Sequence, residues 1–301
     1  MKIKVKVPAT SANLGPGFDV LGLAVNLYNE FILEEEEIFA IDINGFNGIT
    51  KNKDNLFYKS FAFIFKKERK KIPKVKITMN LNIPQGKGFG SSATAVVGGI
   101  VAANVWLGHP FTKEELLPIA VELERGKHPD NVTPALFGGM TVVSLNKNKV
   151  IYIKLPFPKN LKAIYFVPDF IMDTVTTRKL MPDVYKKEDL VFSTGNVALM
   201  LAAFQTGKFH LLKKAMEDRV HQPTRAKVFP VMNTIINEAV DAGAYGSALS
   251  GGGSAIVAFA DKKFEEIAEK MKHIAVKNGV NGDTFVLDIN NSGSDAKIIE
   301  L

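Results

Sequence analysis

In the opening MKIKVKV, lysine alternates with isoleucine and valine up to Pro8. This period of two predicts a strand over 2–7 with one buried and one wet face. Runs rich in β-branched and aromatic residues predict further strands over 29–37, 39–43 and 75–81. A helical period predicts a helix over 56–66, and the apolar run ATAVVGGIVAANVW predicts a buried one over 93–106. Thr112, followed three residues later by Glu115, has the form of a capping box and opens a helix from 113 to about Arg125. Two runs, 138–145 and 150–155, predict a hairpin that turns at 146–148.

A proline-bearing break at 156–160 precedes a fresh strand over 161–167. Beyond it the pattern changes. Helices are predicted near 187–205, 207–219 and 227–241, strands around 244–259, a helix over 262–278 and a last strand over 284–289. Strands at both ends of a helical run predict helices on one face of an antiparallel sheet. The expected organisation is two α+β domains in tandem, 1–157 and 158–301.

Composition narrows the class. The 301 residues are 46% hydrophobic and 23% charged, which excludes a disordered chain, a collagen-like fibre and a coiled coil. Thirty-eight Lys and Arg against 31 Asp and Glu leave +7, which mildly favours anionic partners. The basic run at 66–76, KKERKKIPKVK, lacks interleaved aromatics and reads as a solvated helix end, so nucleic acid is not an expected partner. There is no cysteine, which excludes disulfides, thiolate catalysis and Cys-ligated metals. The longest apolar stretch, 93–108, is shorter than the ~20 residues needed to span a bilayer and contains Asn104. No signal-peptide block opens the chain, and a cytoplasmic protein with no membrane partner is expected.

Residues 82–95, NIPQGKGFGSSATA, carry the most chemistry. Gly86, Gly88 and Gly90 alternate, so backbone N–H groups can converge without Cβ obstruction, and Ser91 and Ser92 then open the apolar helix. A helix N-terminus behind a glycine loop is an anion site, and a serine hydroxyl there can reach a phosphate-bound metal. The loop is neither a Walker P-loop nor a Rossmann fingerprint, and alone it could equally be a structural turn. Two more glycine segments stand beside it: PATSANLGPGFD at 8–19 and SALSGGGSAIVAF at 247–259.

These three segments, in this order and across the whole chain, resemble the motifs of the GHMP kinase superfamily of small-molecule kinases. PATSANLGPGFDVLGLA at 8–24, HPDNVTPALFGGM at 128–140 and the arginines 178 and 225 resemble the branch that phosphorylates L-homoserine. The resemblance implies an N-terminal mixed α+β domain with a left-handed βαβ crossover, a ferredoxin-like C-terminal domain, and a site in the cleft between them. It implies that Pro84, Gly86, Lys87, Gly88, Gly90, Ser91 and Ser92 wrap the phosphates of ATP. Ser92 and one helix glutamate, Glu122 or Glu124, would face Mg²⁺. Asn55 matches a position near the nucleotide base, with Phe57 and Tyr58 as apolar neighbours.

For the substrate, the resemblance implies that Arg178 and Arg225 clamp a carboxylate, that Asp19 accepts an ammonium beside Asn13, and that His128 and Asp130 form the other wall. A fork of parallel donors suits arginine to the clamp. Asn131 stands where the mevalonate kinase branch carries an aspartate base, so the implied transfer relies on positioning and charge neutralisation, with Lys87 as a loop cation. Without the resemblance, His128, Asp130 and Asn131 read as an ordinary loop with an Asx turn. The third motif departs from the family. Ser250-Gly251-Gly252-Gly253-Ser254-Ala255 lacks the usual proline, and a freer loop is expected. The alternatives are a related kinase acting on mevalonate, pantoate or shikimate, and a non-catalytic homologue. The resemblance also allows a homodimer.

Overall fold

In a computed structural model, which describes residues 1–124, 128–147 and 149–300, the opening alternation holds. Ile3, Val5 and Val7 of β1 (Lys2–Asn13) are buried, while Lys2 and Lys4 reach across to Glu34 and Glu30 of β2 (Gly17–Glu35) at 2.8 and 2.9 Å. Both strands run further than predicted, because they continue as a ladder through Pro8 to the glycine turn at 14–16. There follow β3 (Ala40–Asn44), α1 (Leu56–Lys67), β4 (Val75–Asn80), α2 (Ser91–Trp106) and α3 (Lys113–Leu123). Thr112 and Glu115 form the predicted capping box, whereas the expected helix end at Arg125 lies outside the described residues. A short helix, α4 (Pro129–Phe137), occupies the segment read from its residue types as a loop. The hairpin β5 (Met140–Asn146) and β6 (Lys149–Leu155) follows, its turn residue Asn148 also outside the described residues.

The second half contains β7 (Lys162–Pro168), α5 (Thr174–Lys179), α6 (Lys187–Thr206), a 3₁₀ turn (Phe209–Leu211), α7 (Leu212–Ala215), α8 (Gln222–Ala226) and α9 (Met232–Asp241). It ends with β8 (Gly246–Leu249), β9 (Ile256–Ala260), α10 (Phe264–Lys277), β10 (Gly282–Leu287) and β11 (Asp295–Glu300). The helix expected over 207–219 is corrected to a 3₁₀ turn and one turn of α7. Gly207 ends α6 in the left-handed region, and Asp218 accepts from the N–H groups of Val220, His221 and Gln222, starting α8 instead.

The strands make two sheets. The first is ordered β11-β1-β2-β4-β3, with β5 on β2 and β6 on β5; β3 and β4 are parallel and joined through α1. The second is the antiparallel β10-β7-β9-β8, the ferredoxin-like order implied by the resemblance. The last strand crosses back: β11 pairs with β1, so residues 295–300 belong to the first sheet and not with the rest of 158–301.

Alternation along β7 divides its side chains between two cores. Ile164 and Phe166 pack against α9 and α10, while Ala163, Tyr165 and Val167 face Leu23, Phe89 and α6. The two sheets therefore share apolar contact, and loops at this seam are held from both sides. Among the described residues, no helix is long and apolar enough to cross a membrane.

Candidate active site

Helix α2 begins at Gly90, whose φ of +62° is in the left-handed region, and no acidic residue lies in its first turn. A Cβ on Gly90 would stand 2.0 Å from Thr10 Oγ1, and one on Gly88 would stand 2.1 Å from the Ser250 carbonyl oxygen. Only glycine lets the loop lie so close to its neighbours. The loop is stitched to both other glycine segments. Thr10 N–H donates to Phe89 O at 3.1 Å, Ala255 N–H to Lys87 O at 3.0 Å and Ser250 Oγ to Gly88 O at 2.7 Å. Gly251 N–H donates to Ala12 O at 2.9 Å, and the Ser11 and Ser250 hydroxyls meet at 2.7 Å.

The segment 250–255, expected to be freer without proline, is hydrogen-bonded to itself and to its neighbour. Ser250 and Ala255 close the loop through a backbone bond of 2.8 Å, and Ser254 Oγ donates to Phe170 O at 2.7 Å.

A cavity of about 310 Å³ opens in front of the α2 N-terminus. A larger one, about 640 Å³, lies among α6, α8 and α9, but none of the three glycine segments except Ser247 borders it. The chemistry gathers in the smaller one. Ser92 Oγ donates to Glu124 Oε1 at 2.5 Å, just past the end of α3, whereas Glu122 stands on that helix's exposed side. Of the two glutamates, Glu124 is the one in the cleft.

Across the cavity, Arg178 grips Asp19 with both ends of its fork, at 3.0 and 2.6 Å, and stacks over the Phe18 ring at 4.8 Å. His128 Nδ1 is 3.4 Å from the same carboxylate; burial lowers the affinity of this imidazole for a proton. Asp19 has a left-handed φ of +59°, and its N–H donates to Asn13 Oδ1 at 3.0 Å. Asn13, itself left-handed, donates from Nδ2 to Gly251 O at 2.8 Å, so one carboxamide joins the first and third segments. A strained turn held from both sides is common where side chains must be aimed.

Asp130 and Asn131 sit in the first turn of α4, a short helix that aims both at the cavity. Burial, with Asp19 adding to it, pushes the Asp130 carboxyl up to about 7. Asn131 Oδ1 accepts from Thr10 Oγ1 at 2.8 Å, which fixes the amide orientation and leaves its NH₂ on the side of Asp130, 3.5 Å from Oδ1. Arg225, only 1% exposed, borders the cavity from α8; burial and the neighbouring Arg178 lower it to about 10.

Three expected residues are not brought to the cavity wall. Pro84 and Lys87 are half-buried beside it, and the Lys87 carbonyl accepts from Ala255 N–H. Asn55 is buried as the cap of α1, accepting from Phe57 and Tyr58 N–H groups and donating to Thr50 O at 2.8 Å; both rings are buried in the core. Helix capping already engages the side chain that was expected near the base.

The GHMP kinases N terminal domain family matches residues 55–139, and the GHMP kinases C terminal family matches 200–277. The chain is 41% identical to a homoserine kinase of Clostridium beijerinckii, over 99% of both chains, and 39% identical to one of Persephonella marina, over 99% of both. The crystal structure of homoserine kinase from Cytophaga hutchinsonii superposes with a TM-score of 0.89 at 31% identity, covering 98% of this chain and 97% of that one. The chain belongs to the homoserine kinases, a family of the GHMP superfamily.

As a homoserine kinase it is a phosphotransferase that uses ATP. Two residues behind the cavity wall of this homoserine kinase carried no sequence expectation. Thr10 reads as one more position in the 8–19 glycine segment, yet it orients Asn131. His221 precedes Arg225 by four residues, a spacing that places both on one side of a helical turn, and its ring touches the guanidinium.

Proposed function

We propose that this kinase transfers the γ-phosphoryl group of ATP to the side-chain hydroxyl of L-homoserine, on the route to threonine and in the cytoplasm. The observation that carries the substrate class is the Arg178–Asp19 pair. An α-amino acid presents a carboxylate and an ammonium on neighbouring atoms. It can exchange one internal ion pair for two external ones, Arg178 and Arg225 on the carboxylate and Asp19 on the ammonium. A hydroxy acid without an amine would draw Arg178 away from Asp19 and bring that carboxylate no cation in exchange. The pair thus selects for zwitterions.

The glycine loop and the α2 N-terminus would receive the phosphates of ATP, since free N–H groups and the helix dipole both favour negative charge there. Ser92 and Glu124 offer hard oxygen donors side by side, a set that fits Mg²⁺, which takes one or two carboxylates and completes its shell from phosphate and water. When bound, Mg²⁺ neutralises charge on the phosphates. Asn131, fixed by Thr10, holds the hydroxyl toward the γ-phosphorus, and His128 and Asp130 close the wall beside it.

In the transfer, the hydroxyl oxygen forms a bond to phosphorus while the bond to the β-phosphate bridging oxygen breaks, releasing ADP. The hydroxyl proton leaves late, to the phosphoryl oxygens. Asparagine cannot take it, and a loose transition state asks little of a base.

The test is ADP release with Mg²⁺ and ATP, comparing L-homoserine with mevalonate, pantoate, shikimate and no acceptor. Turnover with homoserine alone is the expected result. Equal turnover with mevalonate would sink the zwitterion argument.

A further inference from the structure

His221 is fully buried and belongs to neither the phosphate loop nor the cavity wall. Its surroundings fix its chemistry. Arg225 Nη1 meets Nδ1, and a guanidinium has only donors, so Nδ1 must offer a lone pair. Nε2 lies 2.7 Å from Gly15 O, which can only accept, so Nε2 must carry the proton. A single neutral tautomer satisfies both contacts. A doubly protonated ring would set one N–H against another at Arg225.

Two further neighbours, Phe18 and Asp218, flank the residue. Phe18 stacks on it at 5.2 Å and 25°, and Phe18 in turn lies under Arg178. Asp218 accepts from the His221 N–H at 2.8 Å and stands 3.6 Å from Nε2, anchoring the backbone more than the ring. With Nη1 occupied by His221 and by Gly251 O at 3.3 Å, Arg225 Nε is buried without a hydrogen-bond partner among the described residues. A buried donor left unsatisfied is destabilising, and a ligand carboxylate would satisfy it.

We propose that His221 is a positioning residue for carboxylate recognition: as a neutral acceptor it holds Arg225 by one nitrogen, so that the remaining guanidinium is presented to the substrate carboxylate. The same ring clamps the Gly15 turn, which carries Phe18 and Asp19, against the helix that carries Arg225. One buried imidazole therefore sets the spacing between the two halves of the zwitterion site. The inference rests on the amino-acid reading of that site.

The test uses two variants. His221→Asn keeps an acceptor near the place of Nδ1; His221→Gln keeps a donor near the place of Nε2 but offers Arg225 nothing there. The expected result is a KM for L-homoserine raised about tenfold or more by His221→Gln and within about threefold of wild type for His221→Asn. The KM for ATP should stay within about twofold in both. With the amino diol in which the carboxylate is reduced to an alcohol, the two variants should perform alike.

Equal KM changes in the two variants, or an ATP KM that moves with the homoserine KM, would overturn the proposal. If the substitutions prevent folding, ¹⁵N NMR of the wild-type imidazole decides. It should show a neutral ring protonated on Nε2 from about pH 8 to about pH 5; a proton on Nδ1 overturns the inference. Wild-type chain inactive on homoserine overturns the substrate reading and this inference with it. An active wild type with an unmoved KM in His221→Gln overturns this inference alone.

Discussion

Asp130 shows how one residue's environment can be read as a pH dependence. Its carboxyl, ordinarily near 3.8, is pushed up to about 7 by burial first and by the nearby Asp19 second, against the pull of Arg178. The folded protein therefore holds this proton more tightly than the unfolded chain does. The sign follows from linkage: the stabilisation is fully present below about pH 4 and is lost as pH rises through about 7. Asparagine at 130 has no such proton to lose. Thermal unfolding of the ligand-free protein should show Asp130→Asn gaining on wild type between about pH 5 and about pH 8; an unchanged or reversed gap would count against neutral burial. Asp19, Arg178, Asn131 and Arg225 were picked out by motifs that name residue types at fixed spacing, and the fold brings all four to one cavity. Their mutual contacts were not legible. Arg178 and Asp19 are 159 positions apart, and a clamp and an acceptor that pair with each other become visible only once the chain has folded.

At the scale of elements, what is locally encoded was legible and what is imposed from elsewhere was not. The Thr112–Glu115 box and the Gly90 start of α2 are written in a few adjacent residues. Helix α4 was hidden by Pro134 and by its shortness, and it exists because Val132, Ala135 and Leu136 bury against the first sheet's core. The two local signals should respond differently to substitution. Thr112→Ala removes a cap far from the cavity, so it should cost about 1 kcal/mol in denaturant unfolding with kinetics unchanged. Gly90→Ala must place a Cβ 2.0 Å from Thr10 Oγ1 at a φ of +62°. That displaces the hydroxyl holding Asn131 as well as straining the helix start. Turnover should fall by about 100-fold, since small misplacements of positioning groups cost that much. Full activity in Gly90→Ala would show that neither the loop path nor the Thr10–Asn131 bond matters to the reaction.

Over the whole molecule, β1 does two things at its two ends. Residues 10–13 touch the glycine loop and the third segment, while Lys2–Lys6 are sandwiched in the sheet between β2 and β11. The returning strand had no signal: DAKIIE is short and mostly exposed, and its partner lies at the other end of the chain. The split at 157 and 158, read from a proline break, describes the connection but misses this crossing. Ending the chain at Ser294 would strip the outer ladder from Lys2–Lys6 while leaving Ser294 O with its bond from Lys113 Nζ at 3.0 Å. The exposed edge carries three lysines, which discourage pairing with another chain, so lost stability rather than aggregation is the expected consequence. The loss should be roughly 1–3 kcal/mol, read as a lower denaturant midpoint. Both KM values should remain within about twofold of the full chain, because the site end of β1 is held independently by Phe89 and Gly251. A truncated chain that keeps its stability would make β11 a mere surface strand. One that instead loses homoserine affinity would mean that the two ends of β1 are mechanically coupled, and that the last strand helps to set the geometry of the site.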